Sequence, residues 1–181
     1  QEQFSREKMR EYISQFTAGY EGDIDITDIV MQVEREVYDG IKTTELAKLV
    51  TLILRARIEE DPAYSYVASR QLCNRVCHDA IGVVTGLSKE EYEKAYRAAY
   101  VRNVKRAVEA KKLDEQMLSF DLEKMAAAIE PSRDDLFKYL GIETLHDRYF
   151  IRIDEKEIIE TPQMMWMRVA MGLSFNEDNK E

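Results

Sequence analysis

The chain has 181 residues, is 45% hydrophobic and carries a formal net charge of −9. Such a length forms one domain or two small lobes, which bury roughly 70% of the unfolded surface. An acidic chain lacks the basic surface that binds nucleic-acid phosphates, and no apolar run approaches the roughly 18 residues of a membrane span. Composition therefore predicts neither a nucleic-acid-binding protein nor a membrane protein.

Helical patterns dominate the first two thirds of the chain. Apolar residues recur at three- and four-residue spacing, which is typical of amphipathic helices. Ser5, Thr43 and Ser88 are predicted N-caps, and Ser88 with Glu91 has the spacing of a capping box. The predicted helices cover about 5–18, a second segment that starts at Asp25 or Thr27 and ends at residue 39, and then 43–61, 63–83 and 88–112.

The elements become shorter after residue 114. Pro131 and Gly141 are predicted breaks between short helices, and Asp134 is expected on a solvated helix end. The short helices are predicted at 115–119, 122–129 and 134–140, and the alternating segments 148–153 and 158–160 form a β-hairpin. The predicted fold is therefore mainly α, a helical bundle with one small β-hairpin near residues 148–160.

A final apolar helix follows the hairpin. Thr161 is a predicted N-cap, and Pro162 suits the first helical position, where no N–H is needed. Apolar side chains then cover most of the circumference, and an all-round apolar helix is expected to be buried. Arg168 is the one charge in this run and needs a carboxylate partner or a path to solvent.

Three segments carry a resemblance to a known family. They are 38–43 (Tyr-Asp-Gly-Ile-Lys-Thr), 62–70 (Pro-Ala-Tyr-Ser-Tyr-Val-Ala-Ser-Arg) and 160–173 (Glu-Thr-Pro-Gln-Met-Met-Trp-Met-Arg-Val-Ala-Met-Gly-Leu). In this order they resemble the large (alpha) subunit of ribonucleotide reductase. The resemblance implies ATP-cone-like helices at 1–61 without the first lid strand, a helical N-terminal domain at 62–160, and at 161–181 a helix leading into a catalytic barrel that the chain does not include.

The same resemblance implies a site for an allosteric nucleotide. By position, Glu2, Ser5, Lys8, Thr43 and His78 match residues that contact the effector ATP or dATP in this family. A helix N-terminus and an ammonium group both favour a phosphate, which agrees with Ser5, Lys8 and Thr43. His78 stands where a more basic residue is frequent, so the implied site departs from the family pattern.

The resemblance also implies what the full-length protein does. It would reduce ribonucleoside diphosphates to deoxyribonucleotides by radical chemistry, in the cytoplasm, as an alpha homodimer or higher oligomer with a small radical-generating beta subunit. The motifs are more similar to class I than to class II. Neither Cys73 nor Cys77 matches a catalytic cysteine of the family, so this chain alone is expected to be inactive and to contribute regulation and architecture.

Cys73 and Cys77 are one helical turn apart. Neighbouring turns seldom allow disulfide geometry, so free buried thiols are predicted. His78 follows directly, but structural zinc requires four ligands and His146, the other histidine, is far along the chain. The sequence therefore predicts no metal site.

Two other classes of function fit the pattern. A standalone helical interaction module would dock a partner through the methionine-rich helix around Trp166. An independent nucleotide-sensing regulator would need a complete lid, and it would leave the later helices and the hairpin unexplained.

Overall fold

The computed structural model describes residues 4–82, 86–154 and 157–178. These residues form helices and one antiparallel two-stranded sheet, which confirms the predicted fold class. The chain divides into two compact units, Gln1–Leu72 with Phe137–Gly141, and Cys73–Leu136 with Ile142–Glu181. The division into an ATP-cone, a helical domain and a barrel-entry helix stays a prediction.

Eight α-helices, two 3₁₀ segments and two short strands make up the described part of the chain. The helices are α1 (Arg6–Ser14), α2 (Ile26–Glu36), α3 (Thr43–Ala56), α4 (Ala63–Ile81), α5 (Lys89–Glu109), α6 (Leu122–Ala128), α7 (Tyr139–Arg148) and α8 (Pro162–Leu173). The 3₁₀ segments are Glu115–Ser119 and Pro131–Leu136, and the strands are β1 (Arg152–Ile153) and β2 (Glu157–Ile158).

Helices α1 to α3 and the first half of α4 pack around an apolar core in the first unit. Fully buried Ile13, Ile29, Val33 and Leu54 belong to this core. Gln71 is also fully buried; its side-chain amide donates to Tyr12 Oη and to the Ala47 carbonyl, each at 2.9 Å. Because a buried amide is costly without partners, these bonds specify how α4 packs on α1 and α3.

Arg70 binds the turn that follows α1 in the same unit. Its Nη1 donates to the carbonyl oxygens of Phe16 at 3.0 Å and Ala18 at 2.7 Å. Its guanidinium also lies 5.3 Å from the centre of the Tyr20 ring. Both carbonyls belong to the turn after α1, so Arg70 ties this turn to α4.

Helix α5 forms the centre of the second unit. Tyr96 is fully buried and Tyr100 is 1% exposed. The predicted capping box is confirmed, because Ser88 Oγ accepts from Glu91 N–H at 3.3 Å and Glu91 Oε2 accepts from Ser88 N–H at 2.8 Å. Buried Asn103 donates to the Ile159 carbonyl at 2.9 Å, which ties α5 to the segment after β2.

Several predicted details are wrong. Thr43 is the first residue of α3 and Lys42 is its N-cap, with Glu45 accepting from the Lys42 N–H at 3.0 Å. The predicted helix 134–140 does not form: a 3₁₀ segment ends at Leu136, and Gly141 lies inside α7. A Cβ at Gly141 would come 3.1 Å from the Phe137 ring, so glycine there permits close packing and does not end a helix.

The hairpin is shorter than predicted at 148–160. Arg148 still belongs to α7, and β1 starts at Arg152. Antiparallel pairing aligns Arg152 with Ile158 and Ile153 with Glu157. The first strand is shorter than predicted because Arg148, its predicted first residue, is the last residue of α7.

Glycine-to-alanine changes in α7 and α8 test these packing differences. A Cβ at Gly172 would meet only Met117 Cε at an ordinary 3.6 Å. Gly172→Ala should therefore raise the free energy of unfolding by about 0.5–1 kcal/mol, because alanine is the better helix former. Gly141→Ala should raise the free energy of unfolding by less than Gly172→Ala, or lower it, because the new Cβ would crowd the Phe137 ring. Urea unfolding of both variants measures the two changes in the free energy of unfolding. Equal gains would contradict the close approach of Phe137.

In the residues that the structure describes, none of the helices has the length and apolar character needed to cross a bilayer.

Candidate functional site

The predicted effector residues lie at helix ends wherever the structure describes them. Ser5 is the N-cap of α1, and its hydroxyl accepts from the Lys8 N–H at 3.4 Å, so both residues share the first turn. Thr43 opens α3 in the same unit. His78 is exposed in the last turn of α4, in the part that belongs to the second unit, and Glu2 lies outside the described residues.

Two contacts hold the start of α1 against α2. Arg6 donates to the carboxylate of Glu34 at 2.8 and 2.5 Å, and Arg10 donates to Thr27 Oγ1 at 2.9 Å. The partner carboxylate raises the pKa of Arg6 and lowers that of Glu34. Both side chains are solvent-exposed, so we attribute orientation rather than much stability to this pair.

The burial of Asp134 in the second unit differs most from the sequence prediction. It is only 4% exposed, although the sequence predicted a solvated helix end. Its Oδ2 accepts from the Tyr96 hydroxyl at 2.7 Å and its Oδ1 accepts from the Gln163 N–H at 3.1 Å. Asp134 thus caps α8 from another element, a role that no local sequence signal reveals.

Thr161 therefore does not cap α8 with its side chain. The helix begins at Pro162, as predicted, but the Thr161 hydroxyl is hydrogen-bonded to Tyr96 Oη. Since Tyr96 donates its own proton to Asp134, Thr161 is the donor in this bond. The three side chains form one continuous buried chain of hydrogen bonds, named here the Asp134 network.

Burial is the main cause of the pKa shifts of Asp134 and Tyr96 in this network. Removal from water raises the pKa of Asp134 to about 7, although the hydrogen bonds from Tyr96 and Gln163 oppose the shift. Burial and the charge of Asp134 raise the pKa of Tyr96. The phenol therefore stays protonated and remains a donor to the carboxylate.

Glu160 and Arg168 form a second buried connection to α8. Arg168 donates to Glu160 through Nε at 2.6 Å and Nη2 at 3.1 Å, so the predicted need for a carboxylate partner is met. Glu160 also accepts from the Ile151 N–H at 2.9 Å, which ties the hairpin to the helix. Burial raises the pKa of Glu160, while Arg168 opposes the shift.

Both thiols are free and buried, as the sequence predicted. Cys73 is 8% exposed and Cys77 is 4% exposed, and the Cys77 sulfur lies 3.3 Å from the Tyr92 hydroxyl. Each sulfur lies within 4.8 Å of a carboxylate oxygen of Asp134. The sequence gave no sign of this proximity, because Asp134 is far along the chain.

Helix α8 is not buried all round in the described residues. Met164, Met165 and Met171 are at most 3% exposed, but Trp166 is 50% exposed and Leu173 is 80% exposed. With exposed Ala170, these two residues form one apolar stripe at helical spacing, named here the α8 stripe. A stripe of this kind is typical of a surface that contacts further protein.

Comparison with known proteins decides the relationship. Residues 135–181 match the all-alpha domain of ribonucleotide reductase. The alpha subunit of ribonucleoside-diphosphate reductase from Chlamydia muridarum is 38% identical over 143 residues, which are 79% of this chain and 13% of the relative. The resemblance to ribonucleotide reductase large subunits is confirmed.

Two further relatives extend the match. The alpha subunit of ribonucleoside-diphosphate reductase from Helicobacter pylori is 32% identical over 94% of this chain and 20% of its own length. The large subunit of ribonucleoside-diphosphate reductase from Monkeypox virus is 28% identical over 83% of this chain and 19% of its own length. The chain thus spans at most a fifth of these three ribonucleotide reductase subunits.

The Asp134 network can be tested by removing one hydroxyl. Tyr96→Phe removes a donor to Asp134 and the partner of Thr161, both buried. We expect a loss of about 1–3 kcal/mol in the free energy of unfolding, measured in urea, because buried polar groups lose hydrogen bonds. Tyr149→Phe, at a phenol that is 57% exposed, is the matched control and should change stability by about 0.5 kcal/mol or less. Equal stability of both variants would contradict the network's contribution.

Proposed function

We propose that this chain is the N-terminal regulatory and structural part of a ribonucleoside-diphosphate reductase large subunit. The observation that carries this proposal is the match of residues 135–181 to the all-alpha domain, with relatives that align over most of the chain. The full-length protein would reduce ribonucleoside diphosphates to deoxyribonucleotides by radical chemistry. The catalytic cysteines and the barrel would lie outside these residues.

The proposed partners follow from the same relationship. The rest of the large subunit would cover the α8 stripe, a small beta subunit would supply the radical, and the large subunit would form a homodimer or higher oligomer. Assay of the full-length protein with its small subunit tests the activity directly. Reduction of a ribonucleoside diphosphate by that pair, and none by residues 1–181 alone, is the expected result. An inactive pair in the presence of reductant and ATP would overturn the proposal.

The first unit is proposed to sense ATP or dATP. The exposed Lys8 ammonium and the first turns of α1 and α3 would contact the phosphates, because both kinds of group attract anions. The packing of α1 on α2 and of Gln71 on α1 and α3 holds these helix ends on a rigid unit. Glu2 is proposed as a further contact to the same nucleotide, whereas His78 belongs to the second unit and stays a prediction from the family resemblance.

Thermal unfolding with dATP tests this effector site in the full-length protein. A ligand at 100 times its Kd stabilises the native state by about 2.7 kcal/mol, so dATP should raise the Tm by several degrees. Lys8→Ala should remove most of the shift. Lys112→Ala, which changes an exposed lysine of the second unit, is the control and should leave the shift intact. An unchanged dATP shift in Lys8→Ala would exclude Lys8 from the site.

Fluorescence tests whether further protein covers the α8 stripe. Trp166 is the only tryptophan of this chain, and its half-exposed indole should emit at long wavelength and be quenched readily by acrylamide. In the full-length protein, the difference spectrum against Trp166→Phe isolates the same residue and should be blue-shifted and protected. Equal emission and quenching in both proteins would show that the stripe is not a buried interface.

An interaction module without catalysis is the second candidate function, and the exposed α8 stripe favours it. It predicts that residues 1–181 self-associate or bind a partner through Trp166 and Leu173 in the absence of nucleotide. Sedimentation of the chain and of a Trp166→Ser variant separates this function from the reductase assignment.

A further inference from the structure

A cluster of potential metal ligands lies in the second unit. The sulfur atoms of Cys73 and Cys77 and a carboxylate oxygen of Asp134 all lie within 4.8 Å of one another. All three residues are buried, and their side chains come from α4 and from the 3₁₀ segment Pro131–Leu136. Two soft sulfur ligands and one oxygen thus lie close together inside the protein.

Helix geometry favours a bridging ion over a disulfide. Residues four apart on a helix have Cβ atoms about 5–6 Å from each other. A disulfide requires a Cβ separation of about 3.5–4.5 Å, so Cys73 and Cys77 would have to distort α4. An ion with zinc–sulfur distances of about 2.3 Å can instead bind both sulfurs across one turn without moving the backbone.

The surroundings hold the carboxylate in place for such a role. Tyr96 and the Gln163 N–H fix Asp134 through hydrogen bonds of 2.7 and 3.1 Å, and outer hydrogen bonds of this kind orient metal-binding carboxylates. The Tyr92 hydroxyl, 3.3 Å from the Cys77 sulfur, stands beside the cluster. A water held by this hydroxyl would be the fourth ligand, and it would complete a tetrahedral set.

We propose that Cys73, Cys77 and Asp134 form a binding site for a thiophilic divalent cation, with Zn²⁺ as the fitting ion. Thiolate ligands select zinc over magnesium or calcium, which prefer oxygen throughout. On binding, each thiol releases its proton to solvent and its sulfur coordinates the ion, while Asp134 coordinates as a carboxylate. The bound ion would link the second half of α4 to the Asp134 network.

Cadmium titration of the reduced, chelator-treated 181-residue chain is the first test. We expect a thiolate-to-cadmium absorption band in the ultraviolet that saturates at one equivalent and is displaced by Zn²⁺. Cys73→Ser and Cys77→Ser should each lower the cadmium affinity at least 100-fold. His78→Ala is the control, because that exposed imidazole is the neighbouring alternative ligand, and it should leave the titration unchanged.

X-ray absorption of the zinc-loaded wild-type chain avoids any variant that folds poorly. We expect two sulfur neighbours at about 2.3 Å and oxygen neighbours at about 2.0 Å. The proposal would be overturned if no cadmium band appeared, if the band survived in both serine variants, or if it were lost in His78→Ala. Four sulfur neighbours, which would come from paired chains, would also overturn it. The dATP experiment on Lys8 is independent of every one of these results.

Discussion

The second unit depends on a buried carboxylate that must find hydrogen-bond donors. Asp134 is 4% exposed, and an unpartnered charge at such depth would cost far more than a single contact returns. The donors come from Tyr96 on α5 and from the Gln163 N–H at the start of α8. The two hydrogen bonds that Asp134 accepts therefore determine where α8 begins relative to α5.

This constraint propagates along α8 because a helix is rigid. With its N-terminus held at Asp134, the helix turns Met164 and Met165 inward and Trp166 outward. One turn later, Arg168 meets Glu160, which also accepts from the hairpin at Ile151. The two carboxylates thus determine both the position of α8 and its rotation, and so they decide which of its apolar residues form the α8 stripe.

Local sequence signals were sufficient to predict most helices. They failed where a residue far along the chain determines how a helix is capped. Ser5, Ser88 and Glu91 cap their helices as the sequence predicted, because a capping bond joins residues three positions apart. Thr161 also looked like a cap, but buried Tyr96 takes its hydroxyl and Asp134 caps the helix instead. The effector residues were inferred from family resemblance alone, since neither spacing nor composition points to a nucleotide.

The Asp134 network also gives the two buried thiols polar neighbours. Cys73 and Cys77 would pack equally well against apolar side chains, yet they lie beside a carboxylate and a phenol. A hydrogen bond with the Cys77 sulfur and burial raise the pKa of Cys73, so the Cys73 thiol remains neutral and adds no charge beside Asp134. A cation there would instead offset the charge of the carboxylate and thiolates. The charge state of this cluster and the docking of α8 are therefore physically coupled, because both involve the carboxylate of Asp134.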